Sequence, residues 1–154
     1  GASLCGGRAY ALLAEFFAQT ARMMGSEPSD VYGAMERLLR SSPRPESIPD
    51  VLPLFEGTRQ DSSRTAAITG LTAESFTPLH LIWGMMEGMA QELAQMYRAY
   101  LAAGGLPRQL TGSGGGLRRN PFLCDCFSRA FGTPITLIEG REEAAAGAAL
   151  FAAQ

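Results

Sequence analysis

The chain has 154 residues, 46% of them apolar and 18% charged, with a formal net charge of −2. That is enough chain to bury one core, too apolar for a disordered segment, and without the basic excess that holds nucleic acid. Every cationic side chain is an arginine, so a P-loop, G-x-x-x-x-G-K-[ST], is excluded for want of a lysine.

The first helix is predicted over residues 6–24, where Leu12, Leu13, Phe16, Phe17 and Met23 recur at helical spacing and Gly25 supplies a stop. "SEPSD" is a loop whose Ser29 or Asp30 caps a second helix, with Val31, Met35, Leu38 and Leu39 on one face. Residues 41–50, "SSPRPESIPD", carry three prolines and read as a connector. "VLPLFEG" reads as a short edge strand, because Pro53 argues against a central place. "TAAITGL", 65–71, is a second strand that ends in a turn at Gly70. The strongest helix signal comes next. Thr77 caps it, Pro78 takes the first helical position, and Leu79, Ile82, Trp83, Met86, Met89, Leu93 and Met96 carry the pattern toward Leu101. Gly84 and Gly88, four apart, give this helix a smooth side for close packing, and its methionines read as core filling.

The last third alternates. "RQLTGS" is a strand, "RNPFLCDCFSRAF" a helix, "PITLIE" a strand and "EEAAAGAALFAA" a helix. Such alternation implies an α/β fold with helices packed on a short-stranded sheet. Gly112, Gly114, Gly115 and Gly116 then fall between a strand and a helix, where α/β folds place ligands. Without a Cβ, the backbone admits a flat ring. A tight crossover turn accounts for the glycines equally well, and composition leaves both readings open. A dinucleotide fingerprint beginning at Gly112 would need a glycine where Leu117 stands.

Other chemistries find little material. Cys5, Cys124 and Cys126 are an odd set, and one histidine, His80, cannot complete a four-ligand zinc site with the C-x-C pair. Buried thiols in a reducing cytoplasm are the expectation, with no metal site. His80 lies on the long apolar helix and reads as a packed side chain. Glu142 and Glu143 are adjacent, so they point apart on a helix and make no acid/base pair. No apolar run approaches the roughly 20 residues of a membrane span. The opening "GASLCGG" has neither methionine nor signal-peptide pattern, and reads as the product of a cut.

The stretch from Gly112 to Ala153 resembles the closing segment of the FGGY carbohydrate kinases, members of the actin-like, ribonuclease-H-like ATPase superfamily. The shared pattern is Gly115, Gly116 and Asn120, then a helix, then Gly132 and Pro134, then Glu142, Ala145, Gly147, Ala148 and Ala149. "PLFEGTRQDSSRTAAITGLT" is similar to the family's Gly-x-Arg, acidic, Gly-Leu-Thr segment, and "CGGRAYALL" to its glycine-rich helix start. "GTRQD" in place of G-E-R-T-P points to the sedoheptulokinase branch.

The resemblance implies that residues 1–154 are one partial domain, the distal part of an actin-like ATPase domain, with a sugar-binding N-terminal domain missing. Gly114, Gly115 and Gly116 would form a platform for the adenosine of ATP or ADP, and Asn120 would hydrogen-bond the base. Gly6 and Tyr10 match the other wall of that cleft, Tyr10 by stacking or by simple packing. Arg118 and Arg119 lie outside the pattern and read as a solvated helix start; Arg59 and Asp61 match a loop beside the cleft without a chemical role. The catalytic aspartate, the phosphate loops and most of the Mg2+ site would precede this chain, so no catalytic residue is assigned and the chain alone is expected to be inactive. The implied partners are a sugar or polyol and the missing domain, with no nucleic acid and no membrane. A truncated domain exposes an apolar seam, and the Met-rich helix is the candidate surface for a homodimer. Other readings are another ATPase of the superfamily (acetate-kinase-like or activator type), a non-catalytic nucleotide-binding module, and an α/β domain whose glycines only turn the chain.

Overall fold

The computed structural model describes residues 6–106 and 109–138. Cys5, the end of the last strand at Glu139, and the expected terminal helix with Glu142, Glu143, Ala145, Gly147, Ala148 and Ala149 lie outside the described residues.

The fold is organised on one 25-residue helix, α3 (Pro78–Ala102). Its start follows from three residues. Thr77 is extended, its hydroxyl accepts the His80 N–H, and Pro78 gives up an N–H that the first turn would leave unbonded. Ile82, Met86 and Ala90 are almost fully buried, with Trp83, Met85 and Met89 close behind. Each large member contributes roughly 1.5–3 kcal/mol by leaving water. Met85, Met86 and Met89 are therefore interior, whereas Met96 is half-buried. Against expectation, those three offer no homodimer surface, because they face the other helices of the same chain.

Two helices precede α3 in the chain and pack on it: α1 (Gly6–Met23) and α2 (Val31–Ser41). Asp30 caps α2 by accepting the Gly33 N–H at 2.8 Å. The inward face of α1 differs from expectation. Phe16 is 54% and Met23 81% exposed, while Ala9, Leu13, Ala14 and Ala18 are buried. Small residues let α1 approach, and the larger rings flank the seam.

Residues 42–49 carry no helix or strand and lead into β1 (Asp50–Leu52). β1 crosses α3 on the side of Gly84 and Gly88. A Cβ at Gly84 would stand 2.8 Å from the Pro49 carbonyl oxygen, and one at Gly88 would collide with the carbonyl of Val51. The smooth side expected from the sequence is occupied by backbone. β1 pairs antiparallel with β2 (Ala67–Thr69), with Val51 opposite Ile68. Only Val51 of this pair points inward, and the buried Pro53 follows where the strand stops.

A second pair forms the other sheet. β3 (Leu110–Gly112) runs parallel to β4 (Ile135–Leu137), with Gly112 opposite Leu137. Parallel strands need a long crossover, here supplied by α4 (Gly115–Arg119) and α5 (Pro121–Phe131). One helix was expected across 119–131; two are present. Pro121 pushes the residue before it out of helical geometry, and Asn120 sits at φ −123°, ψ 92°. Arg118 and Arg119 consequently end α4, and do not begin a helix as expected. Among the described residues no helix is long and apolar enough to cross a membrane.

Polar ties close the seams. Glu87 on α3 accepts Arg44 at 2.6 Å and Arg129 of α5 at 3.5 Å, and both guanidiniums lie 5.8 Å from the Trp83 ring centroid. Cys126 is buried, and burial pushes its thiol up to about 12. Cys124 donates to the Leu117 carbonyl at 3.2 Å.

Candidate functional site

The turn from β3 into α4 carries the glycine run, and its members do different things. Gly112 is the last residue of β3, where a Cβ would press Ile135 at 2.8 Å and Leu117 at 3.0 Å. Gly114 precedes α4 with φ +100°, a backbone region that side chains strongly disfavour. It is the turn glycine. Gly115 and Gly116 lie inside α4, with ordinary helical backbone. A Cβ at Gly115 would meet only the flexible Arg119 guanidinium, at 3.0 Å, and one at Gly116 would meet nothing within 4 Å.

Gly116 faces a pocket of about 220 Å3. Ser113, Gly116 and Leu117 bring in the β3–α4 turn, and Gly6 and Gly7 the start of α1. Met89 and Leu93 of α3, with Leu123 and Phe127 of α5, complete an apolar lining. The sequence reading expected Gly6 and the glycine run to share one cleft, and the fold brings Gly6 and Gly116 into this pocket. Gly114 shapes the turn and Gly115 begins α4, and neither lines the pocket. Gly7, Ser113, Leu117, Leu123 and Phe127 were not singled out. Met89 and Leu93 were, but as core, because helical spacing is the same for a core face and a pocket floor.

Asn120 and Tyr10 do not line this pocket. Asn120 Oδ1 accepts the Leu123 N–H at 3.1 Å, capping α5, and its Nδ2 donates to the Met86 sulfur at 3.4 Å. The Tyr10 phenol shares a hydrogen bond with the same amide, and burial pushes that phenol up to about 12. The Tyr10 ring stacks on Tyr32 at 6.2 Å between centroids. Asn120 thus ties α1, α3 and α5 together at one point. The amide expected to read a base edge is engaged inside the protein.

The remaining candidates fall elsewhere. His80 Nδ1 lies 2.7 Å from Thr77 Oγ1, within the cap of α3. Asp61 accepts from the Ser63 N–H and hydroxyl at 2.9 and 2.6 Å, which hold its carboxyl below the usual range. Arg59 lies on the same loop and lines a different cavity. Among the described residues, no group of three His, Cys, Asp or Glu side chains converges as a metal site would require.

The profile of the FGGY family of carbohydrate kinases, C-terminal domain, matches residues 3–154. The chain belongs to this family. The FGGY C-terminal domain is an actin-like, ribonuclease-H-like ATPase fold, and solved structures agree. The xylulose kinase of Rhodospirillum rubrum superposes with a TM-score of 0.69 at 23% identity, over 85% of this chain and 25% of that one. The xylulose kinase of Bifidobacterium adolescentis gives 0.68 at 18% identity, over 89% of this chain and 25% of that one. The glycerol kinase of Plasmodium falciparum, solved with ADP, gives 0.62 at 21%, over 77% and 24%. This FGGY domain thus spans about a quarter of the length of those kinases. No curated protein sequence matches the chain.

Proposed function

We propose that this FGGY domain binds the adenosine end of ATP in the apolar pocket, as part of a kinase that transfers the γ-phosphate to a sugar or polyol hydroxyl. One observation carries the reading. Gly116 lines the pocket, has ordinary backbone angles, and leaves open space where a Cβ would be. The fold has no need of glycine there, whereas a planar ring lying on α4 does. Gly114, by contrast, is accounted for by its φ alone.

The pocket's size limits what enters. At about 220 Å3 it is smaller than the roughly 300–1,000 Å3 that enclose a whole drug-sized ligand. It takes a ring system, and the ribose and phosphates continue outward past Gly6 and Ser113. Asn120 and Tyr10 act by bracing α1, α3 and α5 around that ring. Mg2+ is bound by oxygen ligands, and we assign the ion to the phosphates and to parts of the kinase beyond this chain. The catalytic base and sugar site are assigned there too, with domain closure excluding water from the transfer. The 154-residue chain alone is expected to turn over no ATP.

The sugar is proposed to be sedoheptulose, on the strength of "GTRQD" at 57–61, in a cytoplasmic enzyme. A panel of ketoses and polyols offered to the complete kinase tests this, and a preference for xylulose or glycerol would overturn it.

The pocket is tested by calorimetric titration of ADP into the chain and into Gly116→Val. The expected result is weak binding that the substitution lowers at least about tenfold, 1.4 kcal/mol, with an unchanged melting temperature. Undiminished ADP binding by Gly116→Val would return the glycine run to a mere turn.

A further inference from the structure

A second cavity, of about 350 Å3, opens between β1, the 58–64 loop and α3. It lies on another side of α3 from the apolar pocket. Gly88, Gln91, Glu92, Gln95 and Met96 share one face at helical spacing, and Met89 with Leu93 lines the pocket from another. We propose that this cavity binds a small phosphorylated polyol, with the phosphate at the loop wall and the hydroxyls at the helix wall.

The two walls differ in chemistry, and that difference carries the assignment. The loop wall bears Arg59 and Arg64. Arg8, Arg22, Arg37, Arg40, Arg44 and Arg129 each hold a carboxylate. Neither Arg59 nor Arg64 makes such an ion pair or donates a hydrogen bond among the described residues. Asp61, whose charge reaches Arg64, already accepts two hydrogen bonds from Ser63. The loop is pre-shaped: Thr58 N–H bonds the Asp61 carbonyl at 2.9 Å, and Asp61 N–H bonds the Thr58 hydroxyl at 3.0 Å. Guanidiniums on a pre-shaped loop suit the planar, charge-assisted recognition of phosphate oxygens.

The helix wall carries amides instead of guanidiniums. Gln91 and Gln95 line it. Amides both donate and accept, which suits hydroxyls. Gln91 Oε1 is steadied by Arg98 at 3.2 Å. Val51, Leu54 and Met96 supply apolar surface between the walls for a carbon chain. A ligand with one anionic end and a hydroxylated body uses both walls; inorganic phosphate uses one.

The test is calorimetry on the 154-residue chain at low salt with glycerol 3-phosphate, inorganic phosphate and glycerol as probes. Glycerol 3-phosphate is expected to bind more tightly than phosphate, and glycerol not at all. Arg59→Gln with Arg64→Gln should lower its affinity at least about tenfold, as losing charged hydrogen bonds does, with the melting temperature unchanged because both side chains are exposed. Gln95→Ala should weaken glycerol 3-phosphate about threefold and leave phosphate alone. Gly116→Val should change nothing here, which separates this site from the ADP pocket. No binding, equal affinity for phosphate and glycerol 3-phosphate, or binding that survives the double arginine substitution would each overturn the proposal.

Discussion

Gly84 and Gly88 in α3 and Gly115 and Gly116 in α4 are glycines in helices, and the two sets have opposite surroundings. The first pair is overrun by backbone: Pro49 and Val51 occupy the space where side chains would be. The second pair faces a flexible arginine and an open pocket. Glycine in a helix costs roughly 0.5–1 kcal/mol relative to alanine, and α3 recovers that cost by packing β1 against its axis. α4 recovers nothing inside the protein at Gly116. The difference teaches that a helical glycine is explained by what stands above it, and that an unexplained one marks a surface built for something else.

The sharpest way to break this comparison is Gly88→Ala. Its methyl group meets a carbonyl that cannot rotate aside, so β1 must shift, at about 1–3 kcal/mol for overpacking. Urea unfolding measures it, and an unchanged midpoint would mean that β1 is not locked on α3. Gly116→Val should do the reverse: stability within roughly 0.5 kcal/mol of the parent, with ADP affinity reduced. A large loss of stability there would erase the contrast.

Asn120→Ala tests the brace that ties α1, α3 and α5. Removing an N-cap typically costs about 1 kcal/mol. Tyr10→Phe should cost less, and the pair should be non-additive because they share a hydrogen bond; strict additivity in a double-mutant cycle would dissolve the tie.

The last test is of pH. Tyr10 and Cys126 are both raised to about 12 by burial, from 10.0 and 9.0. Each group stays protonated in the folded chain while the unfolded chain ionises, so each favours folding below its unfolded pKa. That contribution is lost as pH rises, from 10 to about 12 for Tyr10 and from 9 to about 12 for Cys126. Tyr10→Phe should flatten the decline of stability above pH 10 and leave the part that starts near 9. An identical slope in the variant would deny Tyr10 its buried, bonded state.

Some of this was legible in order along the chain. Thr77-Pro78 and Asp30 announced their helices because a cap is a contact between residues two or three apart. The smooth side of α3 was legible from Gly84 and Gly88, though not what would fill it. The break at Asn120 is written in the proline after it, although the apolar pattern of 122–131 runs on as if from one helix. The exposure of Phe16 and the double duty of Met89 and Leu93 were not legible: periodicity selects a face and says nothing of whether protein, ligand or water covers it.

The sequence by itself determined the class of the fold, the capped starts of α2 and α3, the family, and the glycine run as the place to look. Those follow from local backbone preference and from side chains near one another in the chain. Only the tertiary structure decided which glycine turns the chain and which opens a pocket, and that Gly6 meets Gly116 across more than a hundred residues. It alone turned Asn120 inward and put Arg59 and Arg64 opposite Gln95. Those facts depend on how separate elements pack, and packing is set by complementary surfaces that no short stretch of chain contains.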